Sequence, residues 1–208
     1  MSGPLSGLRR GFRAALGGAL LLALAIDSGR ASAAASKDDA PAGDVAATWK
    51  KNAVELHYQA LTTRYSCEGL KQKVRVLLLY FGAREDGLRL RTYGCAGGPY
   101  RPSPVVNIAA DFETLQPADP GSAGTVAARW VERSLFARTR VSRNAPSHIT
   151  RGDCELVQKF VAVLLPAFAH QTISDLTRCI PHELDGTMPN LRVRVLMAAA
   201  DATGVPPL

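Results

Sequence analysis

YSCEGLKQKVRVLLLYFG, Tyr65 to Gly82, and GDCELVQKFVAVLLP, Gly152 to Pro166, open in the same way. Each sets a small polar or acidic residue, then Cys, then Glu, just ahead of an apolar run with helical period. In the first run Leu70, Val74, Leu77, Leu78 and Phe81 recur at three- and four-residue steps, one face of a helix. Lys71, Lys73 and Arg75 lie off that face. Ser66 is a suitable N-cap, because its hydroxyl accepts from a first-turn N–H that has no helical partner. Glu68 then sits near the positive end of the helix dipole. Gly82 suits the left-handed residue that ends a helix. In the second run Asp153 takes the cap position and Glu155 the acidic one. Val157, Phe160, Val161, Leu164 and Leu165 form the face, and Pro166 ends or kinks the helix.

Strands flank both helices. NAVELHYQA (Asn52 to Ala60) alternates apolar and polar residues, the period of a half-buried strand. LRLRTYGC (Leu88 to Cys95) alternates again, and VVNIAADF (Val105 to Phe112) is a third strand. After the second Cys-Glu site the order repeats. RSLFARTRV (Arg133 to Val141) precedes the helix; TISDLTRCI (Thr172 to Ile180) and LRVRVLMA (Leu191 to Ala198) follow it. Trp49 and Trp130 each stand near the start of a first strand. The fold class expected is α+β: two β-α-β-β repeats, a mixed sheet of about six strands, and two helices packed on one face. The repeats would span 49–115 and 126–198, joined by a Pro-, Gly- and Ala-rich linker at 116–125.

The four cysteines, Cys67, Cys95, Cys154 and Cys179, allow three pairings. Topology chooses among them. In a parallel crossover the helix start and the end of the next strand lie at the same level. A helix of ~15 residues and a strand of ~7 span much the same ~22 Å. Cys67 opens a helix and Cys95 ends a strand; Cys154 and Cys179 repeat the arrangement. The expected bonds are therefore Cys67–Cys95 and Cys154–Cys179, at spacings of 28 and 25 residues.

The ends of the chain carry other information. Residues 1–33 have the layout of a signal peptide: Arg9, Arg10 and Arg13, then the apolar AALGGALLLALAI (Ala14 to Ile26), then small residues at Ala31 to Ala33. RRGF (Arg9 to Phe12) also fits the twin-arginine address, so both export routes stay open. Cleavage near Ala33 would deliver the chain to the periplasm or beyond. Residues 34–48 read as a disordered lead-in and 199–208 as a flexible tail. No later stretch reaches the ~18 apolar residues of a membrane span. The net charge of +7 falls to +4 once the signal's four arginines and Asp27 are removed (25 − 4 basic, 18 − 1 acidic). That charge is a matter of solubility, and without a basic run interleaved with aromatics no nucleic-acid partner is expected.

Several local patterns invite chemistry. A thiol at a helix start is acidified, which makes Cys67/Cys95 a redox candidate; against it stands the lack of any C-x-x-C. HELDG offers His182, Glu183 and Asp185 to a metal or as an acid/base pair, although a polar turn explains the same letters. Ala96 to Pro102 (AGGPYRP) holds two glycines and Arg101, an anion nest or simply a loop. His57 falls on a solvated strand face. Arg151 to Asp153 spells RGD, with Asp153 already accounted for as a cap. Arg89 and Arg91 on one strand, with Arg192 and Arg194 on another, would line one surface if both strands share a sheet, and so attract an anion.

YSCEGLKQKVRVLLLYFGAR, the Cys that follows it, and GDCELVQKFVAVLLP together resemble exported proteobacterial proteins of unknown function. The resemblance covers most of the chain after residue 33. It implies export and the two-copy layout; it implies no activity and no catalytic residue. The function expected is thus an exported, disulfide-stabilised binding or accessory protein without catalysis or cofactor, with an anionic ligand or periplasmic partner. The alternative is an enzyme, using Cys67/Cys95 for redox or His182 for metal-assisted chemistry.

Overall fold

The computed structural model describes residues 43–136, 149–184 and 187–201. The signal-like segment, most of the tail, His148 and Asp185 lie outside these residues.

Six strands form the main sheet: β1 Val45–Gln59, β3 Arg89–Tyr93, β5 Val105–Pro117, β6 Val126–Phe136, β7 His170–Asp175 and β8 Asn190–Ala198. Short β2 (Tyr65–Ser66) and β4 (Pro102–Ser103) pair separately. The helices are α1, Cys67–Tyr80, and α2, Cys154–Lys159. The sheet order is β3-β5-β1-β6-β8-β7. Every neighbouring pair is antiparallel. The parallel relation behind the mixed-sheet expectation survives one strand apart: β1 and β3 point the same way with β5 between them, as do β6 and β7 with β8 between them.

The sheet has two halves. Ala47 faces Pro117 in the first half and Ala128 faces Ala198 in the second. Their junction is short. β1 meets β6 only through Val45↔Ala128, Ala46↔Ala127 and Ala47↔Val126. β1 begins at Val45 and β6 at Val126, both earlier than the apolar alternation suggests. Val45–Lys50 therefore belongs to the sheet, where a lead-in was expected as far as residue 48. The reason is composition: VAAT and VAAR put small alanines on both faces, which hides the period of two. β5 likewise runs on to Pro117, taking the first two residues of the expected linker.

One core joins both helices to alternate strand residues. Leu70, Val74, Leu77, Leu78 and Phe81 pack with Leu156, Val157, Phe160 and Leu164. They rest on Leu56 and Tyr58 of β1, Ile108 and Phe112 of β5, and Leu191, Val193 and Val195 of β8. The Phe81 and Phe160 rings are 4.8 Å apart. On the opposite face Ala47, Leu115, Ala128 and Leu196 are buried beneath half-buried Trp49 and Trp130. Trp49 and Trp130 thus hold equivalent places on either side of the short junction.

The helix ends follow from local chemistry. Ser66 accepts from Gly69 N at 3.0 Å and caps α1. At the other end Ala83 N donates to Leu78 O and Gly82 N to Leu79 O, the paired bonds of a left-handed helix stop. Gly82 has φ +95°, and a Cβ there would lie 3.0 Å from Met197 Cγ. The second helix is less regular than its sequence period implies. After Lys159 it widens to a π turn, Phe160–Leu164, then tightens to a 3-10 turn, Leu165–Ala167. Pro166 has no N–H and its ring crowds the carbonyl four residues back, so the regular ladder fails just before it.

Past Ala128, β6 has no β1 partner. The Tyr80 side chain covers part of the open edge: its hydroxyl donates to Ser134 O at 3.0 Å and accepts from Ser134 N at 3.2 Å. Arg133 Nε donates to Tyr80 O at 3.1 Å, and its guanidinium lies 5.1 Å from the Tyr80 ring centre. A cation thus closes the negative end of α1.

Candidate functional site

The two Cys-Glu sites meet at one end of the molecule. The disulfides are Cys67–Cys95 and Cys154–Cys179, with Cα atoms 5.9 and 5.6 Å apart, the pairs to which the crossover geometry leads. No cysteine is free. Cys67 and Cys154, the sulfurs a helix start would activate, are the buried members; Cys95 and Cys179 are half-buried.

Between the disulfides lies a buried polar network that reverses part of the sequence reading. Asp153 does not cap α2 with its own side chain. A 3-10 turn, Arg151–Asp153, precedes the helix, and the Asp153 carboxylate reaches back to Thr150, accepting from its N–H at 2.6 Å and its hydroxyl at 2.9 Å. Asp153 is 1% exposed. It also accepts the Tyr65 hydroxyl and pairs with Lys73 Nζ at 2.8 Å. The RGD letters are therefore unavailable for adhesion, because the aspartate is consumed inside.

Glu155 departs further from its twin. It is 9% exposed and cradles the turn after β1. Leu61 N donates to it at 3.1 Å, Thr62 N at 2.9 Å and the Thr62 hydroxyl at 2.9 Å. Tyr58 donates to Thr63 O at 2.7 Å and lies 3.4 Å from the same carboxylate. Glu68, by contrast, stays on the surface with Lys71 and Gln72. Burial first, and then the neighbouring carboxylates, push the Tyr58 and Tyr65 hydroxyls well above the usual tyrosine range. Both tyrosines are therefore neutral donors at any physiological pH.

The HELDG loop joins this end through its backbone. His182 has φ 66° and donates its N–H to Thr62 Oγ1 at 2.9 Å, while its ring is exposed. Glu183 is exposed, and Asp185 lies outside the described residues. Among the described residues no group of three or more His, Cys, Asp and Glu gathers to hold a metal. His57 Nδ1 meets Asn107 Oδ1 at 2.6 Å on the face without helices. The AGGPYRP loop has Gly97 and Gly98 in the left-handed region, and its Pro99 O accepts from Glu68 N at 3.0 Å. It closes over the start of α1.

The arginine pairs share a face but not a place. Arg89 and Arg91 are opposite Asp111 and Ala109, while Arg192 and Arg194 are opposite Ser134 and Glu132. All four point away from the helices. Three strands separate β3 from β8, about 19 Å along the sheet. Arg91 pairs with Asp111 at 3.2 Å and Arg192 with Glu132 at 2.6 Å. Among the described residues Arg89 and Arg194 have no carboxylate partner.

Sequence reasoning missed Tyr58, Thr62, Tyr65 and Lys73 as members of one network. Lys73 reads as a solvated helix residue, and nothing local ties it to an aspartate 80 positions later.

Two disulfides, and no helix among the described residues long and apolar enough to cross a membrane, are compatible with an exported protein. No protein-family model matches the chain, and no curated protein or solved structure is similar enough to it to inform fold or function.

Proposed function

We propose that the chain is an exported binding or accessory module made of two copies of one β-α-β-β unit, and that it holds an anionic ligand or partner without chemistry of its own. Export would follow cleavage near Ala33, by either route. The duplication is supported by the mirrored strand order about the junction, and by VAATW (Val45–Trp49) and VAARW (Val126–Trp130) at the start of the two strands that meet there.

One observation carries the binding reading: Arg89, Arg91, Arg192 and Arg194 all face the side of the sheet that no helix covers. Only two of them have a carboxylate partner among the described residues. The polar groups that resemble catalytic machinery are committed elsewhere. Asp153, Glu155 and both tyrosines hold the loop end together.

Calorimetric titration of the exported protein with inorganic tripolyphosphate at low salt tests this. Binding should weaken in Arg89→Gln/Arg91→Gln and in Arg192→Gln/Arg194→Gln, and the salt dependence should flatten in both. Absence of heat, or unchanged binding in both pairs, removes the reading. A disulfide reduced at mild potential with turnover of a dithiol substrate would favour a redox enzyme instead.

A further inference from the structure

Seven large apolar side chains are exposed among the described residues, and four of them, Leu61, Leu176, Leu184 and Met188, belong to the loop end. Their segments are tied to one another. Leu61 N is held by Glu155 at 3.1 Å, next to Cys154. A Cβ added at Gly152 would lie 3.8 Å from Leu184 Cδ2. His182 N is held by Thr62 at 2.9 Å. Met188 bridges to Arg178, whose neighbour Cys179 is bonded to Cys154. Leu176 N donates to Asn190 O at 2.8 Å, extending the same hairpin.

Among the described residues, exposed arginines outnumber exposed acids at this end. Arg64, Arg151 and Arg178 are exposed and have no carboxylate partner among the described residues. Among the described residues Glu183 and Asp175 are the exposed acids beside them, and Asp175 accepts from Thr177 N at 3.0 Å; Asp153 and Glu155 are buried and spent on internal bonds. Isolated aliphatic side chains on separate turns, flanked by arginines, suit a soft anionic interface. Aliphatic chains enter the acyl boundary while guanidinium groups stay among the headgroups. A protein interface of equal strength draws instead on aromatic anchors set in a contiguous patch; here Tyr93 lies on β3 and Tyr100 is a single ring on the loop over the start of α1.

We infer that this loop end docks on the surface of an anionic phospholipid membrane, with Leu61, Leu184, Leu176 and Met188 as inserting residues and Arg64, Arg151 and Arg178 as headgroup contacts. The surface is distinct from the arginine face of the sheet. The rigid cradle at Glu155 explains how a turn carrying an exposed leucine keeps one shape: the cost of ordering it is met in folding rather than at the membrane.

Co-sedimentation of the exported, disulfide-intact protein with vesicles of phosphatidylglycerol and phosphatidylcholine tests the inference. Phosphatidylcholine vesicles serve as the control. The expected result is binding to the anionic vesicles alone, reduced about ten-fold between 0.1 and 0.5 M salt. Leu61→Asp/Leu184→Asp should lower the partition coefficient by about ten-fold or more. Arg64→Gln/Arg151→Gln/Arg178→Gln should lower it and flatten the salt dependence. All variants share one N-terminus, so any contribution from that segment cancels. Leu61→Ser/Leu184→Ser, checked by non-reducing electrophoresis and thermal unfolding, separates lost docking from lost folding. The fourfold Arg89, Arg91, Arg192 and Arg194→Gln variant should bind vesicles as the parent does. Equal binding by parent and folded loop variants overturns the inference. So does loss confined to the fourfold variant, which would place lipid on the sheet face. Binding to polyglutamate without binding to vesicles also overturns it, in favour of an acidic protein partner.

Discussion

Removing the Glu155 carboxylate should unfold the protein far more readily than removing its twin at Glu68. Glu155→Ala strands three donors: Leu61 N, Thr62 N and the Thr62 hydroxyl, now 2.9–3.1 Å from the carboxylate. A hydrogen bond to a charged acceptor contributes about 1.5–3 kcal/mol, so full loss of three would exceed about 4.5 kcal/mol. Leu61 and Thr62 are not wholly buried, and water can reach part of the vacated turn. A loss of about 3 kcal/mol is the better expectation. Against a typical stability of about 5–15 kcal/mol this is a large fraction. With a urea slope near 2 kcal/mol per molar, the midpoint should fall by about 1.5 M. Glu155→Gln keeps the shape but turns an amide N–H₂ toward a donor, so it should fall between parent and Glu155→Ala. Glu68→Ala removes surface contacts with Lys71 and Gln72 and should leave the midpoint unchanged within error. The assay is non-reducing urea unfolding followed by the fluorescence of Trp49 and Trp130. A Glu155→Ala midpoint equal to the parent's, or an equal fall in Glu68→Ala, would refute the claim that these matched residues do different work.

Other consequences follow from the same geometry. The Tyr65 hydroxyl is raised in the folded state by burial first and by Asp153 next, so the unfolded chain, near 10, loses its proton first. The stability this gives is complete below about pH 10 and declines as pH rises, by up to about 1.4 kcal/mol per pH unit for one tyrosine. Urea melts between pH 9 and 11 should show a shallower decline in Tyr65→Phe, which should also be about 2 kcal/mol less stable at pH 7. Tyr80→Phe uncovers Ser134 N and O on the open edge of β6 and should cost about 1–3 kcal/mol, measured by thermal unfolding. Cys154→Ser/Cys179→Ser releases a loop closed over 25 residues and should cost about 3.5 kcal/mol, read from the same urea melts.

Much of the architecture was legible because it is written in short-range pattern. The helical period of Leu70, Val74, Leu77 and Leu78, the Ser66 cap and the Gly82 stop are local properties, and each reappears as a local fact. Alternation in LRLRTY and LRVRVLMA marks the strands for the same reason. Where alanine fills both faces, at 45–48 and 126–129, the pattern carries no signal and the strands begin earlier than it indicates. The second helix departs from its period because Pro166 acts on the turn before it.

The Cys-Glu pairs divide the two kinds of information most clearly. Sequence alone determined that each pair opens a helix, and strand and helix lengths determined which cysteines can meet. It made Glu68 and Glu155 look alike, because capping and dipole effects depend only on neighbours in the chain. Tertiary structure decided that Glu155 is buried against the turn after β1 and that Asp153 meets Tyr65 and Lys73, while Glu68 stays in water. Those contacts join residues 80 to 94 positions apart, and no local pattern records which surface a helix start will be pressed against. The buried network is a product of packing the start of the second helix against the turn after β1 and the start of the first helix.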